Sequence, residues 1–178
     1  VYDSAIFYLS GALEIYKELQ DSTGIAQIYI NQALLFDQDE LNDSAIHYSL
    51  KALRIQEALG LDHQQASTYN QIGELYAEKG RWNDAWKHYQ SALALYEQIG
   101  DISGKATSYN GVGSVHLKNN RFEEAEAELN KGLDYARQTN DPLILGSIMV
   151  NLATLYIEQK RGDLIAERYL LEAIQYLE

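Results

Sequence analysis

Residues 67–101 read STYNQIGELYAEKGRWNDAWKHYQSALALYEQIGD. Tyr69, Ile72, Gly73, Tyr76 and Ala77 recur three and four residues apart, the spacing of one helical face. Gly80 follows where such a helix must stop, because glycine tolerates the left-handed conformation of a C-terminal cap. Beyond Arg81-Trp82-Asn83, a second stripe runs through Ala85, Tyr89, Ala92, Leu93, Leu95 and Tyr96. It closes near Ile99-Gly100, and the Asp101 carboxylate can accept the free N–H groups that open the next helix. The stretch predicts helix, tight turn, helix, tight turn.

The same pattern extends in both directions with a period of 40 residues. Ala5, Ala45, Ala85 and Ala125 share one position, as do Leu13, Leu53, Leu93 and Leu133. Ala26, Ala66 and Ala106 share another, then Tyr29, Tyr69 and Tyr109, then Leu35, Leu75, Val115 and Leu155. A fixed period of this size marks a stack of one supersecondary unit, each touching only its neighbours. The expected fold is all-α: a right-handed solenoid of antiparallel helix hairpins with about nine helices. They are expected near 2–19, 22–38, 42–59, 62–79, 83–99, 102–119, 122–138, 142–159 and 164–178. Asp21-Ser22 and Asp141-Pro142 are start signals, the proline sitting where no N–H is needed. This divides 1–178 into a leading helix 2–19 and repeats at 22–59, 62–99, 102–138 and 142–178.

Small residues recur at three further places: Ala33, Gly73, Gly113 and Ala153; Ala45, Ala85, Ala125 and Ala166; Ala52, Ala92, Gly132 and Ala173. Two helices approach closely only where side chains are short, so these positions predict the hairpin seams.

Tyr69-x2-Ile72-Gly73-x2-Tyr76 followed by Ala85-x3-Tyr89-x2-Ala92 resembles the signature of the tetratricopeptide repeat (TPR) family. Tyr109, Val112, Gly113, His116, Ala125, Leu129 and Gly132 repeat it, and so do Met149, Leu152, Ala153, Tyr156, Ala166, Leu170 and Ala173, with one extra residue around Gly162. The first unit departs from it at Gln32 and Ser49. A usual unit has about 34 residues. The 40-residue unit is similar to the long-helix subclass of Pins-type scaffolds, kinesin light chains and bacterial signalling proteins. The resemblance implies a concave groove lined by the first helix of each repeat.

Carried onto this chain, the groove positions are Gln27, Ile30, Asn31 and Leu34; Ser67, Asn70, Gln71, Glu74 and Glu78; Thr107, Asn110, Gly111, Ser114 and Lys118; and Ser147, Val150, Asn151, Thr154 and Glu158. Asn31, Gln71 and Asn151 share one rung, which Gly111 interrupts. An amide offers donors and an acceptor, so such a rung suits an extended peptide backbone. The candidate peptide-binding set is Asn31, Ser67, Asn70, Gln71, Glu74, Asn110, Ser114, Lys118, Asn151, Thr154 and Glu158. Chaperone-binding relatives clamp a terminal carboxylate with basic residues; here Ile30, Asn70, Asn110 and Val150 stand at those places and only Lys118 is basic nearby.

The net charge of −12 argues against nucleic acid or an anionic membrane as partner and for a neutral or basic protein or peptide. The chain has no cysteine, which excludes disulfides and thiolate metal sites. No apolar run approaches the roughly 20 residues of a membrane span. His47, His63, His88 and His116 form no ligand-spaced pair, and the acids of Glu123 to Glu128 suit a solvated helix start. No catalytic motif, cofactor or metal is expected. The chain starts at Val1 and stops at Glu178 inside helical patterns, which reads as a piece of a longer protein. A cytoplasmic interaction module within a bacterial signalling or regulatory protein is the expectation. The alternatives are a non-catalytic sensor segment of a histidine kinase or nucleotide cyclase, and self-association through the terminal repeats.

Overall fold

The computed structural model describes residues 2–139, 141–160 and 162–177. Val1 and Glu178, at the expected helical ends, lie outside them. Among the described residues the chain forms nine α-helices and no strand. They are α1 (Tyr2–Glu18), α2 (Ser22–Gln38), α3 (Asn42–Leu59), α4 (Asp62–Glu78), α5 (Trp82–Ile99), α6 (Ile102–Lys118), α7 (Phe122–Thr139), α8 (Pro142–Glu158) and α9 (Asp163–Leu177). Expected and observed boundaries differ by one residue at most.

The predicted start signals act as caps. A side-chain oxygen of Asp21 accepts from the Gly24 N–H at 2.9 Å, and one of Asp101 from the Gly104 N–H at 3.0 Å. Asp141 Oδ1 accepts from the Leu143 and Ile144 N–H groups at 2.9 and 3.3 Å, with Pro142 opening the helix. Each such cap is worth about 1 kcal/mol. By contrast, α3, α4 and α5 start at Leu41, Leu61 and Arg81 without a side-chain cap.

The turns share a second device. Gln20, Glu40, Gly60, Gly80, Gly100, Asn120 and Lys160 all have φ between 52° and 77°. A left-handed residue therefore recurs at these places every 20 residues or a multiple of it. Glycine adopts that conformation without a Cβ clash, whereas the other residues do so at a cost. At the last turn the extra residue is absorbed by Gly162, at φ 131°, and α9 starts at Asp163.

Packing follows the small-residue rows. The helices of each hairpin, α2 with α3 through α8 with α9, pack most extensively; successive hairpins then stack, and α4 meets α6 and α6 meets α8 directly. Ala33, Ala45, Ala52, Ala85, Ala92, Ala125 and Ala153 are completely buried. A Cβ on Gly73 would lie 2.9 Å from the Tyr89 ring, and one on Gly113 would lie 2.6 Å from Leu129 Cγ. Close approach is thus the compensation for glycine inside these helices.

Tyr29, Tyr69 and Tyr109 occupy equivalent half-buried places, each ring within 6.0 Å of a ring on the next helix: Tyr48, His88 and Tyr135. A second ring pair recurs as Phe36–Tyr48, Tyr76–His88 and Tyr156–Tyr169. The pattern breaks at Gln32 and Ser49 are real defects in the core. Both residues are buried, and Gln32 Oε1 and Ser49 Oγ have no hydrogen-bond partner.

Candidate peptide-binding groove

The first helices α2, α4, α6 and α8 present their polar positions along one wall. Two adjoining depressions follow it. One, of about 530 Å³, is bounded by Ile30 and Leu34 of α2, by Ser67, Asn70, Gln71 and Glu74 of α4, and by Thr107 of α6. The other, of about 320 Å³, continues between α4, α6 and α8, with Asn110, Ser114, Ser147 and Asn151 on its far side. Asn70, Glu74 and Thr107 line both, so the groove is continuous across four helices. A hollow of about 600 Å³ lies at the turn edge between residues 40–44 and Glu78-Lys79, and Glu78 borders both it and the second depression.

Of the candidate residues, Ser67, Asn70, Gln71, Glu74, Asn110, Ser114 and Asn151 come together in these depressions. Asn31, Lys118, Thr154 and Glu158 line neither. Thr154 donates to its own helix at Val150 O, 2.9 Å, and Asn31 Oδ1 accepts from Gln27 at 3.1 Å.

The amides are organised differently from a row of free groups. Asn151 Nδ2 donates to Asn110 Oδ1 at 2.8 Å, and Asn110 Nδ2 donates to Ser147 Oγ at 3.0 Å. Gln71 Nε2 is turned into the wall, buried and without a partner. Asn70 Oδ1 accepts from Ser108 Oγ at 3.0 Å, which leaves its amide nitrogen for a ligand. Ser108 is completely buried, and its single hydroxyl hydrogen is shared between Asn70 Oδ1 and Gly104 O, the latter at 2.9 Å, so Asn70 is held from below.

Residues from the second helices and turns also reach the groove. Tyr96, His63, Asp101 and Ser103 border the first depression, and Tyr89 borders the second. Tyr89 projects from α5 against two first helices, since a Cβ on Gly111 would lie 2.5 Å from its ring, just as one on Gly73 would clash. Gly111 interrupts the amide rung because Tyr89 occupies that space. Two glycines facing one tyrosine were the available sequence signal.

The electrostatics are acidic. Glu74 is reached by solvent but crowded by the concave wall, and its pKa is raised from 4.5 by desolvation, then by Glu78 and Asp37. Burial, followed by the charges of Glu74 and Glu78, pushes the Tyr89 phenol well above its usual range. Among the described residues no group of His, Cys, Asp and Glu could hold a metal ion, and no helix is long and apolar enough to cross a membrane.

A solenoid of helix hairpins with a concave polar wall defines a repeat scaffold built for protein–protein contact. The tetratricopeptide repeat profile matches residues 38–98 and 64–138, more than half of the chain, and the protein belongs to that family. Such chains are in general non-catalytic scaffolds. No curated protein sequence matches this one. Among solved structures, BtubC (BKLC) from P. vanneervenii is 21% identical, with TM-score 0.85 over 99% of this chain and 73% of that one. The apo form of RapI is 14% identical, with TM-score 0.85 over 98% of this chain and 48% of its own length. The TPR2AB domain of yeast Sti1, solved in complex with pHSP90, is 20% identical, with TM-score 0.50 over 98% of this chain and 71% of that one. The chain thus spans about half of RapI and larger shares of the other two.

Proposed function

We propose that this chain holds an extended, neutral or basic peptide segment of a partner protein along the wall formed by α2, α4, α6 and α8. The carrying observation is the continuous groove in which Asn70 and Glu74 serve both depressions. Asn70 offers a fixed amide to a peptide backbone, while Glu74 and Glu78 set the sign of the charge. The candidate residues act as a set, with Asn31, Lys118, Thr154 and Glu158 at the outer margins. The whole chain forms one array of a leading helix and four repeats and does no chemistry itself. Its setting is a larger bacterial signalling or regulatory protein in the cytoplasm, a reading supported by the 40-residue unit.

The test is capture from an immobilised library of random nine-residue peptides. Binding is expected to fall as salt rises, because the attraction is partly screened. Replacing Asn31, Asn70, Gln71 and Asn151 by alanine should abolish capture; undiminished capture moves the site off this wall.

A second reading, self-association, draws on the ends of the solenoid. Phe7 and Tyr8 of the leading helix α1 and Leu19 just after it are 74%, 73% and 68% exposed, and Leu164 and Leu171 of α9 are 81% and 55% exposed. Large exposed apolar patches mark contact surfaces. Light scattering that shows a strict monomer at high concentration would rule this out.

A further inference from the structure

We propose that the depression floored by Tyr89 is a subsite for one cationic side chain, lysine or arginine, of the bound peptide. Glu74 is its counter-charge and the Tyr89 hydroxyl a second oxygen acceptor. The proposal deepens the groove reading above and rests on the same wall.

Four observations support it. Tyr89 is 8% exposed, yet it lines the depression, and its hydroxyl has no hydrogen-bond partner among the described residues. The ring is packed, but the hydroxyl oxygen is reached by solvent, so it opens into the depression with its acceptor lone pairs free for a ligand. Glu74 likewise has no hydrogen-bond or ion-pair partner among the described residues, and the charges that act on it, Glu78 and Asp37, share its sign. No lysine, arginine or histidine lines the depression. Of the cations near the wall, Lys79 is committed elsewhere, its Nζ 2.6 Å from Asp43 Oδ1, and Lys118 lines neither depression. Glu78 is partly satisfied, accepting from Asn42 Nδ2 at 2.9 Å, so Glu74 is the carboxylate left over.

The shape and lining select the class of cation. Among the described residues no cluster of three or more His, Cys, Asp or Glu side chains could hold a bare metal ion. Ala77 and the Tyr89 ring supply an apolar flank for a methylene stem, and the oxygens of Glu74 and Tyr89 receive the charged head. An anion would meet like charge, and a neutral side chain would gain no attraction from the Glu74 carboxylate. Gly73 and Gly111 keep the ring in place, because a Cβ at either would displace it.

The test uses capped amino acids, which need no knowledge of the natural peptide. The isotope-labelled chain is titrated at low salt with N-acetyl-lysine methylamide, the arginine analogue, and the neutral norleucine analogue. Backbone amide signals of Asn70, Tyr89 and Gly111 are followed. We expect saturable shifts with one or both cations, with dissociation constants on the order of 1 mM, and none with norleucine. The lysine and arginine arms identify which head group is preferred. Glu74→Gln should weaken this binding about tenfold, and Tyr89→Phe should weaken it while keeping the ring and its packing. Glu74→Gln should not lower the melting temperature at neutral pH, which separates a binding role from a structural one. Cations that leave these amides unmoved, or that bind Glu74→Gln as well as the parent, overturn the subsite. Peptide capture without enrichment of lysine or arginine also sinks it while sparing the groove. Cation binding without capture of any library peptide does the reverse.

Discussion

Glu74 shows how one side chain in a concave wall can work against the stability of the fold that carries it. Its pKa is raised by desolvation and by two like charges, so the folded state resists its ionisation. A carboxyl group raised in this way contributes its full stability below the unfolded value near 4.5 and loses that contribution as pH rises through the folded value. Glu74→Gln should therefore stabilise the ligand-free chain at neutral pH, and the advantage should shrink as pH falls through the folded value and vanish below 4.5. Urea melts of both chains across that range check this; a constant gap would show that the charge is not the cause. Sequence spacing puts Glu74 on the face of α4, whereas the packing of α5 against Gly73 and Gly111 puts Tyr89 in the same depression.

At the scale of the element, turns and seams repeat with different fidelity. The left-handed turn residue recurs at fixed places, but only Gly60, Gly80 and Gly100 of that row are glycines. Glu40, at φ 58°, adopts the same conformation with a Cβ. Glu40→Gly should stabilise the chain by up to about 1 kcal/mol, read as a shift in the denaturant midpoint. Gly100→Ala should destabilise it by a similar amount for the converse reason. The seams allow less latitude. Ala85 is completely buried where α4 and α5 meet, so Ala85→Leu should overpack the hairpin and cost about 1–3 kcal/mol. A melting temperature unchanged by that substitution would refute the assigned seam. The buried, unpaired Gln32 and Ser49 show that the first repeat tolerates local loss of the pattern, since its neighbours still bury the surrounding alanines.

Over the whole molecule, stability should be graded along the solenoid. Each hairpin is held by its own seam and by its neighbours, so interior repeats gain two interfaces and terminal ones a single interface. Hydrogen exchange should be slowest in α4 to α8 and fastest in α1 and α9, where large apolar side chains are exposed. Uniform protection from end to end would indicate that the array unfolds as one block.

The helices, the turns between them, the aspartate caps and the alanine and glycine seams were legible in the sequence. They depend on local spacing and on a period that each unit restates. Membership of the wall was legible for the same reason, because positions of like phase fall on the same helix face. Tertiary structure alone decided how those wall residues are used. It tied Asn151 to Asn110 and Asn110 to Ser147, turned the Gln71 amide inward, and brought Tyr89 through the gap between Gly73 and Gly111 to meet Glu74. Those contacts join residues of different helices at distances set by packing. A period records which face a side chain is on, but not which neighbour it finds there.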